Sequence, residues 1–139
     1  MKLELVTLAG VKMSEEVYQV ILPTASGEIG VYPGHEPLVT LAVPGVVRVL
    51  RVKGDANEEV FAIHGGLVEV NQERIRILVD EAEHADDIVE AEAEAAAERA
   101  KKLLSEAKDQ VTISEAQAML NRQAVRLKVA GLRRRRHHS

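Results

Sequence analysis

Proline and glycine are crowded into one side of this chain, and that asymmetry divides it. All four prolines (Pro23, Pro33, Pro37, Pro44) precede residue 45, and eight of the nine glycines precede residue 67. Beyond about residue 85 there is no proline and a single glycine, Gly131. Proline breaks helices and glycine weakens them, so the first stretch is suited to strands and turns and the second to long helices. The composition shifts between Asp80 and Asp87. It predicts an α+β chain: an N-terminal antiparallel β-sandwich over 1–84, then a C-terminal antiparallel two-helix hairpin over 85–139.

The strand signals of the first part are short and separated by turns. Leu3 to Leu8 partly alternates, and Val17 to Leu22 is β-branched and ends at Pro23. Val46 to Val52, Glu59 to His64, Leu67 to Val70 and Arg74 to Val79 follow at short intervals with no helix between them. That rhythm indicates a sandwich or barrel. In the second part Asp87 and Glu90 suggest a capping box. Val89, Ala93, Ala96, Ala100, Leu103 and Ala107 form an apolar stripe at steps of three and four. Thr112 to Glu115 offers a second capping box. Ile113, Ala116, Leu120, Ala124 and Leu127 continue a second stripe, which Gly131 is expected to close. A short link between two amphipathic helices implies an antiparallel pair.

The seam of that pair is largely alanine. One buried methyl contributes only about 0.8 kcal/mol, against roughly 1.5–3 kcal/mol for Leu or Ile. Two readings follow from the residues: a plain stabilising hairpin, or an arm able to detach and extend.

Composition excludes several functions. With 18 Lys+Arg against 22 Asp+Glu the net charge is −4, unlike a dedicated nucleic-acid binder. Tyr18, Tyr32 and Phe61 are the only aromatics, which leaves little to stack on bases, sugars or flavins. Without cysteine there is no disulfide or thiolate site. His35, His64 and His84 lack ligand spacing, so no metal is expected. Ser26, Ser105 and Ser114 adjoin no His/Asp set, and the paired acids Glu15-Glu16, Glu58-Glu59 and Asp86-Asp87 are sequence neighbours that diverge in a strand. No catalytic site is expected, so the chain reads as a non-enzyme. A β-sandwich enzyme or carbohydrate binder is disfavoured on the same grounds. Met1 to Glu4 leads into no apolar signal segment, and the apolar run Leu38 to Val47 is too short to span a bilayer. A soluble, intracellular protein is expected, with membrane association only through a partner.

Gly27-Glu28-Ile29-Gly30-Val31-Tyr32-Pro33-Gly34-His35-Glu36-Pro37-Leu38 carries the most information. By chemistry alone it is a turn-rich loop exposing Glu28, His35 and Glu36, and its glycines lead into no helix that could hold a phosphate. The string resembles the GELGxxPGHxPL-like signature of the epsilon subunit family of F-type ATP synthases. Ile63-His64-Gly65-Gly66-Leu67-Val68-Glu69-Val70, Ile75 to Val79 and Glu83 to Ile88 agree with the family in the same order. The resemblance covers nearly the whole length.

It implies a non-catalytic rotor subunit whose sandwich binds the foot of the γ subunit and the polar loops of the c-ring, coupling proton flow to ATP synthesis. Glu28, Ile29, Val31, Tyr32 and His35 would lie at the c-ring contact. It places the protein peripherally, on the cytoplasmic face of a bacterial membrane or the stromal face of a thylakoid. The hairpin would either fold down or extend into the α/β catalytic head and block ATP hydrolysis.

After Glu115 the chain has no acid, while Arg122, Arg126, Lys128 and Arg133 to Arg136 are basic. Arg122, Arg126 and Arg133 share the side of the second helix opposite Leu120 and Leu127. The residues alone fit a solvated face or an acidic partner; the resemblance favours the partner, an acidic segment of the β subunit. Some relatives bind ATP through an Ile/Leu-Asp-x-x-Arg-Ala motif. Here that stretch is Ile88-Val89-Glu90-Ala91-Glu92-Ala93, with Val89 at the aspartate and Glu92 at the arginine position. An anion there repels a nucleotide. Glu83, Ile88, Arg99, Arg122 and Arg126 still match family positions, so the expectation is ATP binding absent or weak and no cofactor. An ATP-sensing module is the alternative reading.

Overall fold

A computed structural model describes residues 1–138, with side chains described as far as Arg133. The chain forms two compact units that meet in sequence between His84 and Ala85.

The first unit holds eight strands: β1 (Lys2–Thr7), β2 (Gly10–Glu16), β3 (Gln19–Thr24), β4 (Gly27–Val31), β5 (Leu38–Leu50), β6 (Glu59–Val70), β7 (Arg74–Leu78) and β8 (Ala82–His84). Their order is β2-β1-β7-β6-β5-β3-β4, with β8 added beside β6. The long strands β5 and β6 serve both layers. β6 pairs with β8 through Phe61 to Ile63 and with β7 through Leu67 to Val70. The bend lies where Ala42 opposes Gly66 and Pro44 opposes His64. There β3 also slips register against β5, between Ile21 and Thr24.

Glycine is required at this bend. Gly65 has φ 105°, and a Cβ on Gly66 would lie 2.4 Å from the Leu78 carbonyl oxygen. Bending two long strands turns the inner faces toward each other. Leu3, Leu5, Val20, Leu22, Val47, Val49, Ile63, Val68, Ile75 and Ile77 are fully buried between them.

The sandwich therefore differs from the sequence expectation in detail. Pro23 and Gly65-Gly66 do not end strands; they are bends within β3 and β6. β5 likewise continues through Pro44. β2, β4 and β8 lack a strong apolar run and become strands by pairing with stronger neighbours. One pairing, β1 with β7, is parallel.

The second unit opens with a 3-10 turn, Ala85–Asp87, followed by α1 (Glu90–Glu106) and α2 (Gln110–His138), which pack against each other. Asp87 does not cap α1. The N-cap is Val89, without a side-chain bond, because Asp87 is taken up in the turn. Asp109, not Thr112, caps α2: its carboxylate accepts the Thr112 backbone N–H at 3.0 Å. Bonds from Thr112, side chain first and then backbone, hold that carboxyl below its ordinary value. Gly131 does not close α2, which continues through it.

The buried stripe of α1 is Ala93, Ala97 and Ala100, one residue on from the expected Ala96, with Leu103 turned outward. On α2 Ala116 is buried and Ala124 exposed. The seam is still built mainly of methyl groups.

Candidate interaction surfaces

The signature segment is a strand followed by a loop. β4 pairs with β3 from Thr24↔Gly27 to Val20↔Val31 and forms one edge of the sheet. Val31, fully buried, belongs to the core. Its side chain therefore packs inward and anchors β4 to the core. Alternation along the strand turns Glu28 outward, and Ile29 is half-buried against the core.

Tyr32 stands exposed at the end of β4. It is steadied by an edge-on contact with Tyr18 and by a bond in which the Gln19 side-chain amide donates to its hydroxyl at 2.8 Å. His35 is held by its backbone N–H to the Tyr32 carbonyl at 3.1 Å, and its Nδ1 lies 2.7 Å from the Glu36 carbonyl oxygen. Glu28, Ile29, Tyr32 and His35 thus share one stiffened edge.

A second surface went unnoticed in the sequence. Across five strands, Leu41 is paired with Leu67, Leu67 with Leu78, Leu78 with Val6, and Val6 with Val11. Register partners lie on one face of a sheet. The neighbouring row, Met13, Leu5, Ile77 and Val68, is buried, so this row points outward. Leu41 is 66% exposed and Val11 65%, and Leu8, at 85%, extends the patch beyond the end of β1. The next outward row is polar: Glu69, Arg76 and Glu4, with Glu4 accepting from Arg76 at 3.3 Å and from Arg74 at 3.4 Å. The signal was present in Leu41 to Val43 and Ile77 to Val79, which are apolar at successive positions and so greasy on both faces.

Charge on the unit is organised in pairs. Arg48 reaches both oxygens of Glu58, at 3.0 and 3.1 Å. Arg51 joins Glu15 at 2.5 Å to Glu59 at 2.6 Å, and Glu59 also meets Nε2 of His84, whose ring packs edge-on against Phe61. The Arg51 side-chain bond holds both the Glu15 and the Glu59 carboxyl below the usual carboxylate range. Neighbouring acids thus turn to different partners, as strand geometry requires.

In the helical unit Arg133 does not stand free on an outward stripe. Arg122, Arg126 and Arg133 are half-buried. Arg126 donates to the Gln123 side chain at 2.8 Å, and Arg133 donates to the carbonyls of Ala85 and Ile88 at 2.5 and 3.1 Å. α2 packs on two elements, α1 and the 3-10 turn, and Arg133 meets the turn. Lys128 is exposed.

The side chains of Arg134 to Arg136 lie outside the described residues. Among the positions matched to a nucleotide site, Ile88 is buried, Arg99 is exposed on α1, and Glu83 belongs to β8 in the other unit. Among the described residues no cluster of His, Asp or Glu has the geometry of a metal site. No helix there is long and apolar enough to cross a membrane.

A bent sheet unit followed by a two-helix unit defines the class of chain, and comparison with known proteins agrees with both halves. Residues 1–85 match the β-sandwich domain of the ATP synthase delta/epsilon chain, and residues 86–131 match its long α-helix domain. The chain belongs to the ATP synthase delta/epsilon chain family.

Similar curated proteins are both called ATP synthase epsilon chain. That of Herpetosiphon aurantiacus is 39% identical over 135 residues, covering 97% of this chain and 97% of the relative. That of Laribacter hongkongensis is 39% identical over 138 residues, covering 99% and 98%. A chain in the cryo-EM structure of the Euglena gracilis mitochondrial ATP synthase (OSCP, F1 and c-ring) superposes with a TM-score of 0.80. It is 26% identical, with 92% of this chain and 79% of that chain covered.

The ion-pair cluster generates a pH dependence. Glu59 loses its proton more readily in the folded chain than in the unfolded one. Its stabilisation is therefore fully present above the unfolded carboxylate pKa of about 4.3 and is lost as pH falls through the lower folded value. Glu59→Gln is expected to lower stability by about 1–2 kcal/mol at pH 7 and by little at pH 3. Thermal melts of both chains at the two pH values check this, and an equal gap at each would contradict it.

Proposed function

We propose that this chain is a non-catalytic central-stalk subunit of an F-type ATP synthase, turning with the rotor and coupling proton translocation to ATP synthesis. The observation that carries this is the outward aliphatic row on a stiff sheet, within a chain whose whole length matches the family. A patch of Leu41, Leu67, Leu78, Val6 and Val11 rimmed by charges suits burial against another protein. We assign it to the γ subunit, and the β4 edge with Glu28, Ile29, Tyr32 and His35 to the c-ring. The protein would then sit at the membrane peripherally, through the complex.

The hairpin is the regulatory arm in this reading. Its alanine seam favours helices that persist while their docking is weak. Arg122, Arg126, Lys128 and Arg133 would meet an acidic stretch of the β subunit once the pair has parted, and so restrain ATP hydrolysis. ATP binding by the hairpin is proposed to be weak or absent, on the strength of Val89 and Glu92. That disfavours an ATP-sensing module.

Leu41→Glu combined with Val11→Glu places two carboxylates in the row without touching the core. The variant is expected to keep its melting temperature within a few degrees and to lose recovery of γ in a pull-down from the reconstituted complex. Full recovery would displace γ from this face. In the same complex, a chain truncated after Asp87 is expected to release ATP hydrolysis several-fold. Hydrolysis unchanged by the truncation would remove the inhibitory role and leave coupling intact. Isothermal titration with ATP is expected to give no heat at micromolar concentrations, and micromolar affinity would restore the sensing module.

A further inference from the structure

We propose that Arg133 is the latch that closes the open end of the helical hairpin, by donating from one guanidinium to two backbone carbonyls that precede α1. The short link at residues 107–109 joins α1 and α2 at one end. Arg133 lies 23 positions beyond Gln110, about 34 Å along α2 at 1.5 Å per residue, so it acts at the opposite end.

Its Nη1 donates to the carbonyl of Ala85 at 2.5 Å and of Ile88 at 3.1 Å. Neither carbonyl belongs to the helical ladder of α1, whose first bond runs from the Ala93 N–H to the Val89 carbonyl at 3.1 Å. The Ile88 oxygen therefore needs a donor from elsewhere, and α2 supplies it. Both residues that offer the carbonyls are themselves buried, Ala85 fully and Ile88 to 2% exposure. A charged donor on such acceptors makes a stronger bond than a neutral one.

The small side chains of the rest of the seam give that bond weight. The buried side chains of α1 are Ala93, Ala97 and Ala100, and among the described residues α2 buries Ala116, Val129 and Ala130, so valine is the largest side chain fully buried on either helix. Methyl groups contribute little apolar area each, so one two-pronged polar contact at the far end weighs heavily in the balance between closed and open pairs. Arginine suits the position because the two N–H groups of its terminal Nη1 are fixed in the guanidinium plane and point to separate acceptors. Under the inhibitory reading above, on which this consequence alone rests, the closed hairpin also withholds Arg133 from an acidic partner.

The chain has no cysteine, so spin labels can be placed on it uniquely. Glu94 on α1 and Lys128 on α2 are both exposed. In the full chain carrying Glu94→Cys and Lys128→Cys, pulsed dipolar EPR reads the separation of the helices without reference to any synthase.

Adding Arg133→Gln is expected to raise the ratio of long to short separations by about tenfold, with the circular dichroism of the helices unchanged. Arg133→Lys, which keeps the charge but not the fixed planar donor geometry, is expected to fall between the two. An unchanged distance distribution in the Gln variant would overturn the latch. So would a Gln variant that loses helicity, because a latch releases the pair without melting its members. γ recovery and ATPase release, the tests of the stalk reading, stand apart from this measurement.

Discussion

The bend in β5 and β6 is the constraint on which the rest of the sandwich depends. Pro44, opposite His64, offers one ladder no N–H, and Gly66 lets the other strand press within reach of the Leu78 carbonyl. With any Cβ at Gly66 the two strands could not approach this closely, and β7 would be pushed off β6. Because the strands bend, one continuous sheet supplies both layers of its own core. The same bend leaves the outer face of β1, β2, β5, β6 and β7 with an aliphatic row that the unit has no means of covering.

Core and candidate interface are thus alternate rows of one sheet. Leu5, Ile77 and Val68 face in, while Val6, Leu78 and Leu67 face out. A single-residue slip between β1 and β7 would exchange the two sets, so the register that protects the core also defines the surface. Ion pairs such as Arg51 with Glu15 and Glu59 pin the registers from the polar side. The helical unit follows another strategy: little apolar area, strong helix propensity, and a directed polar contact at its open end. That combination suits a part whose internal packing can be exchanged for contacts with another molecule.

Much of this was legible in the residues. The proline and glycine distribution placed the change of grammar within a few residues of His84, and the alanine seam was visible from its spacing. The signature around Gly27 to Leu38, with the family it points to, needed no coordinates. Three things were misjudged for one physical reason: each is decided by neighbours distant in sequence. Val31 resembles a surface residue of a loop until β3 pairs with it and carries it into the core. Asp87 resembles an N-cap until the 3-10 turn takes it up. Arg133 resembles part of a free face until the turn at Ala85–Asp87 engages it.

Local chemistry, then, determined by itself the strongest strands and both helices, where the two units divide, and which family the chain resembles. These follow from backbone restrictions and side-chain periodicity acting over a few residues. The tertiary structure decided which apolar residues are core and which are surface, and which cations are already engaged. Both depend on cross-strand register and helix rotation, and pairs such as Leu41 with Leu67 or Arg133 with Ile88 meet only when the fold brings remote segments together.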